Sequence, residues 1–117
     1  MKNTSKLQEL LAKVEAGSKR WTSNELWEAL KCHKQKQFNA AFHGSLDAAK
    51  ALHEAVLPST SQYSIVTDPT VGKASVCWWP DGLSRENQFY GECWFDDNPA
   101  RAWLIAIIKA LIAQEDK

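Results

Sequence analysis

Lys73-Ala74-Ser75-Val76-Cys77-Trp78-Trp79, then Pro80-Asp81-Gly82, then Asn87-Gln88-Phe89-Tyr90-Gly91-Glu92-Cys93-Trp94-Phe95 decide how this chain folds. Successive strand side chains point to opposite faces. Ala74, Val76 and Trp78 therefore share one side of a strand over 73–79, and Ser75, Cys77 and Trp79 the other. In a strand over 87–95, Phe89, Cys93 and Phe95 oppose Tyr90 and Trp94, and Gly91 predicts a bulge. Cys77 and Cys93 are expected to face each other across this strand pair. Upstream, residues 62–67 alternate in the same way, with Tyr63 and Ile65 against Ser64 and Val66. Asp68-Pro69-Thr70-Val71-Gly72 and Pro80-Asp81-Gly82 are turn chemistry. Such short connections imply consecutive antiparallel pairing. The two later strands are apolar on both faces, and a sheet with one wet face alternates more cleanly. The simplest resolution is a helical layer on each face: an α+β chain built as a three-layer α/β/α sandwich with about three strands and four helices.

The helices announce themselves by period and caps. Ser5 and Gln8 form a capping box before the stripe Leu7, Leu10, Leu11 and Val14, and Gly17 is a left-handed stop. Thr22 and Glu25 form a second box, with Trp21 and Leu26 as a hydrophobic staple and Trp27 and Leu30 on the buried side. That helix fades into Lys31-Cys32-His33-Lys34-Gln35-Lys36-Gln37, a polar basic connection. Ser45 caps a third helix lined by Leu46, Ala49, Leu52 and Val56, and Leu57-Pro58 ends it, because proline disfavours helical geometry in the residue before it. Asn98-Pro99 opens a last helix whose apolar residues, Ala100, Trp103, Leu104, Ile107, Ile108 and Leu111, cover more than half its circumference. A helix this apolar is gripped on several sides, by the sheet and by another helix or a second subunit. Self-association is expected on that ground.

The chain has 117 residues, enough for one domain spanning 1–117 with a single core. Fourteen basic and fourteen acidic side chains cancel. No overall field favours a polyanion or a charged membrane surface, so nucleic acid is disfavoured as a partner. No apolar run follows Met1-Lys2-Asn3-Thr4-Ser5, so no signal peptide is expected. The most apolar stretch, 102–113, is broken by Lys109 and too short to cross a bilayer. Cys32, Cys77 and Cys93 make an odd count, which suits free thiols in a reducing cytoplasm.

Three segments then resemble a known family: Leu10-Leu11-Ala12-Lys13-Val14-Glu15-Ala16-Gly17; Gly44-Ser45-Leu46-Asp47-Ala48-Ala49-Lys50-Ala51-Leu52 running to Leu57-Pro58; and Asn98-Pro99-Ala100-Arg101-Ala102-Trp103-Leu104-Ile105-Ala106-Ile107-Ile108-Lys109-Ala110-Leu111. Their order and content are similar to the small phage ABA-sandwich proteins of tailed bacteriophages and prophages. The stretch 32–42 departs from that pattern. The matching residues are mostly helix-packing positions, so the resemblance speaks to fold. It implies a phage accessory protein working in the cytoplasm of the host bacterium, and no role for any named residue. Some small phage proteins neutralise bacterial immunity by binding a nucleotide signal or a defence protein.

Six tryptophans are the unusual feature: Trp21, Trp27, Trp78, Trp79, Trp94 and Trp103. Trp21, Trp27 and Trp103 sit where helices pattern as core. Trp79, with Tyr90 or Trp94 on the neighbouring strand, offers an aromatic platform on which a base stacks, and Arg85 offers a bidentate phosphate contact. Core or subunit packing of the same rings is the plainer account, since aromatics also dominate interfaces. Lys31, His33, Lys34 and Lys36 read as a solvated loop. Cys32 and His33 with His43 and His53 lack a zinc spacing, and a lone histidine on a helix is usually satisfied structurally. Asp96 and Asp97 suit the positive N-terminus of the last helix. No phosphate loop, nucleophile elbow or cofactor motif occurs, so no cofactor and no catalysis are expected.

Three readings follow. The first is a non-enzymatic accessory protein that sequesters a small nucleotide immune signal at Trp79, Arg85, Tyr90 and Trp94. The second is an inhibitor that blocks a host defence protein through an exposed apolar patch. The third, a nucleotide-cleaving enzyme, needs convergent polar groups in a concave site.

Overall fold

A computed structural model describes residues 4–17, 26, 29–30, 35–57, 61–67, 72–78, 89–95 and 98–115. Among them are four continuous helices and three strands: α1 (Thr4–Glu15), α2 (Gln35–Phe42), α3 (Leu46–Val56), β1 (Gln62–Thr67), β2 (Gly72–Trp78), β3 (Phe89–Phe95) and α4 (Pro99–Glu115). Leu26, Ala29 and Leu30 are also helical and buried. The second capping box and its staple residue Trp21 lie outside the described residues.

The fold is α+β, with the strands in the order β1-β2-β3 and antiparallel throughout. The register places Tyr63, Ile65, Ala74, Val76, Gly91, Cys93 and Phe95 on one face, and Ser64, Val66, Lys73, Ser75, Cys77, Tyr90, Glu92 and Trp94 on the other. α4 lies across β3 and β2 on the first face, and α1, α2 and α3 pack on α4 from its far side. Helices and sheet thus stack as layers with α4 in the middle. Residues Ala102 to Ile108 and Ala110 are all buried. The apolar circumference of α4 is consumed within one chain and calls for no second subunit. The helical layer expected on the second sheet face is not supplied by any described element. There Val66, Tyr90 and Trp94 stand exposed among polar neighbours, which is why the alternation of the strands is incomplete.

Gly91 explains how the middle layer fits. It makes no bulge, since the pairing of β2 with β3 runs unbroken from Gly72↔Phe95 to Trp78↔Phe89. A Cβ on Gly91 would strike the backbone carbonyl of Ala106 and the backbone nitrogen of Ala110. The glycine is there because a helix backbone rests on the strand. Ala102, Ala106 and Ala110, four residues apart, put small side chains along one stripe of α4. Cys77 and Cys93 do not face each other: Cys77 pairs with Tyr90 on the open face, and Cys93 with Ala74 on the covered one. Both are free thiols.

Helix ends follow local chemistry. α1 begins at Thr4, so Ser5 lies inside the helix and does not cap it. Gly17 adopts φ 76° just past the end of α1, as a left-handed stop does. Ser45 Oγ accepts from the Ala48 backbone N–H at 3.1 Å, and Leu57 is extended, at φ −113° and ψ 155°, ahead of Pro58. Asn98 caps α4 by accepting from the Arg101 N–H at 3.0 Å. Its amide also donates to the Phe42 carbonyl at 3.2 Å, which Arg101 Nε reaches at 3.3 Å. One residue therefore starts α4 and ties down the end of α2. α2 itself was read as connection up to Gln37. It forms because Phe38, Ala41 and Phe42, at i, i+3 and i+4, are all buried.

Gly91→Ala should lower stability by about 2–3 kcal/mol, because two backbones must separate to admit a methyl group. Gly17→Ala, with open space around it, should cost only about 1 kcal/mol of left-handed strain. Urea unfolding of both variants beside the wild type checks the order; equal losses would remove the close-approach account.

Candidate functional site

Three rows of side chains cross the open face of the sheet: Val66–Lys73–Trp94, Ser64–Ser75–Glu92 and Gln62–Cys77–Tyr90. Trp94 is 62% exposed, Val66 54% and Tyr90 41%. Tyr90 and Trp94 are four residues apart on β3, so both point the same way with Glu92 between them. Glu92 organises the centre. Its Oε2 accepts from the Tyr90 hydroxyl at 3.0 Å and lies 3.3 Å from Lys73 Nζ. The same ammonium sits 5.3 Å from the centroid of the Trp94 ring. The Tyr90 hydrogen bond, and after it Lys73, hold the Glu92 carboxyl below its ordinary range. Burial, then the bond to Glu92, push the Tyr90 hydroxyl up, so it stays a donor at neutral pH.

Of the expected site residues, Tyr90 and Trp94 come together on this face, while Trp79 and Arg85 lie outside the described residues. Neither Lys73 nor Glu92 is singled out by the sequence. Both share the parity of the aromatics, but their meeting depends on the β2–β3 register, which no local pattern prints. Lys36, from the basic stretch, is exposed on α2. Among the described residues, no three His, Cys, Asp or Glu side chains form a group able to hold a metal ion.

A second polar cluster sits on the covered side. His53 of α3 is 4% exposed. Trp103 Nε1 donates to its Nδ1 at 3.3 Å, and its Nε2 lies 2.9 Å from Ser61 Oγ. Tyr63 completes the cluster, its ring 4.4 Å from that of Trp103 and 5.2 Å from that of His53. A serine beside a histidine invites a nucleophile reading. The tautomer opposes it. An indole N–H only donates, so Nδ1 must accept and the imidazole proton sits on Nε2, aimed at Ser61. A general base needs a free lone pair on that nitrogen, with Nδ1–H given to an orienting acceptor. His53 is a structural histidine whose two nitrogens are both satisfied. Burial lowers its pKa, against a smaller opposing pull from Glu54.

Among the described residues, no helix is long and apolar enough to cross a membrane. Compared with known proteins, the chain matches no family model, no curated protein and no solved structure.

Because the folded pKa of His53 lies below its ordinary 6.5, the unfolded chain binds the extra proton first as pH falls. The neutral histidine's contribution is complete above pH 6.5 and declines as pH drops below it toward the folded pKa. His53→Phe should remove that part of the pH slope. It should also cost roughly 2 kcal/mol at neutral pH, by leaving the Trp103 N–H without an acceptor. Chemical denaturation of both proteins across this range checks the sign; an unchanged slope would place the titration elsewhere.

Proposed function

We propose that this protein is a non-enzymatic binding module whose working surface is the open face of the sheet, and that the occupant is a segment of a partner protein. The observation that carries this is a tryptophan 62% exposed on a sheet face that also exposes Val66 and Tyr90 and is backed by a buried core. Tryptophan and tyrosine are the residues on which interfaces concentrate their energy, and here both stand exposed on one face. The Lys73–Glu92 pair beside Trp94 supplies one charge of each sign, which orients a partner without attracting a polyanion. The tautomer of His53 supports a non-catalytic reading. In the phage setting that the helix resemblance implies, the partner is a host defence component met in the bacterial cytoplasm.

A second reading, sequestration of a small nucleotide, is favoured by one feature: Tyr90 and Trp94 display two rings on the same face of one strand. Each is able to stack a base. Against it, Lys73 is already held by Glu92, and that carboxylate would meet any phosphate laid between the rings.

Trp94→Ala should leave the melting temperature nearly unchanged, because the ring contributes little to the core, and should weaken partner binding by about tenfold or more. Affinity capture from host lysate with both proteins, followed by calorimetry with the purified partner, measures this. A melting-temperature rise with cyclic nucleotides that Trp94→Ala abolishes would select the second reading. Binding of either kind that ignores Trp94 would remove the face from the account.

A further inference from the structure

Among the described residues, β1 is an edge strand without the usual protection. Its six residues, Gln62-Tyr63-Ser64-Ile65-Val66-Thr67, carry no charge and no proline, and its pairing with β2 is continuous from Gln62↔Cys77 to Thr67↔Gly72. Among the described elements, β1 makes extended contact with β2 alone. No described backbone group hydrogen-bonds to its outer side. Natural edges are blunted by lysine, proline, bulges or brevity. Here four of six residues, Tyr63, Ile65, Val66 and Thr67, are strong strand formers.

We infer that β1 is a dimerisation edge, pairing antiparallel with β1 of a second copy to make one continuous six-stranded sheet. The occupant follows from symmetry and charge. Two identical edges paired about a two-fold axis set the residue on the axis opposite its own copy, and residues on either side of it opposite one another. A charge on the axis therefore meets its like. β3 fails this test, because its full-length self-pairing sets Glu92, at its midpoint, against Glu92 of the second copy. β1 passes it. With the axis at Ile65, Ile65 faces its own copy, and Tyr63 faces Thr67 of the second copy, on the helix-covered side. Ser64 faces Val66 of the second copy on the open side. Aromatic with β-branched, and β-branched with β-branched, are favourable cross-strand pairs. The axis stands normal to the sheet, so both helical layers lie on one side and both open faces on the other. Tyr63, 45% exposed, and Val66 then gain neighbours at the seam. The pairing uses the strand edge and leaves Trp94 free, so it stands or falls separately from the proposed function.

Sedimentation velocity on the full chain over a wide micromolar range tests the inference, with three variants alongside. The wild type is expected to dimerise. Ser64→Lys with Val66→Lys, both at exposed positions, sets two pairs of like charges across the seam and should raise the dimer Kd by about tenfold. Trp94→Ala should leave the dimer intact. Ser64→Lys with Val66→Glu should restore it, since this register then opposes lysine to glutamate. Amide exchange along residues 62–67 should slow with rising wild-type concentration, a readout that does not depend on any variant folding. A wild type that stays monomeric, or a dimer indifferent to the double lysine, overturns the inference.

Discussion

The backbone of α4 rests on the backbone of β3 at Gly91, and the rest of the architecture is arranged around that contact. Because no Cβ stands between them, the carbonyl of Ala106 and the nitrogen of Ala110 come against the strand. A helix held this closely buries its small stripe against the sheet and turns its large residues elsewhere. Leu104, Ile107 and Ile108 are fully buried, and helices contact α4 on the side away from the strands. Burying each such side chain is worth about 1.5–3 kcal/mol, so this one helix supplies a large share of the stability available to a chain of this size. The remaining helices are held largely by what they share with it. α2 illustrates this: its last carbonyl, on Phe42, is bonded by Asn98 and Arg101 of α4, and the Arg101 guanidinium lies 4.1 Å from the centroid of the Phe42 ring.

How much of this was legible in the sequence divides along physical lines. Features set by one or two neighbouring residues were readable. Ser45 and Asn98 cap helices, Gly17 stops one, Leu57 turns extended before Pro58, and the parity of each strand assigns its faces. Features set by distance in the chain were not. Gly91 looked like a bulge because a glycine in a strand has two explanations, and only the arrival of α4 distinguishes them. Cys77 and Cys93 seemed to face each other, but register is a long-range property, and a shift of one residue changes the face. α2 was missed for a different reason. The triplet Phe38, Ala41 and Phe42 was visible, but eight residues without a strong cap carry too little intrinsic helix preference to overrule a basic, polar approach.

The candidate site shows the same division. Tyr90 and Trp94 were readable as neighbours on one face, because both lie on one strand. Lys73 and Glu92, which set the charge of that face, belong to different strands and met only through register. His53 was readable as a histidine with a structural task. Its partners, Ser61 and Trp103, are eight and fifty residues away, so the direction of its proton was not. That direction decides whether a serine beside a histidine is reactive or merely bonded.

The open face also limits what it can hold. Strands about 4.8 Å apart with a rise of about 3.3 Å per residue give strands of six, seven and seven residues a face of roughly 300 Å². A stable globular complex buries about 800 Å² on each partner. A single copy of this face therefore suits an extended segment or a small ligand better than a broad protein surface. Pairing two copies through β1 would double the face and place a Trp94 toward each outer edge of a six-stranded surface. Two modest sites held rigidly in one body bind a two-fold symmetric or repeated target more tightly than either alone. In that arrangement the edge would set the spacing and the aromatic face would supply the contact.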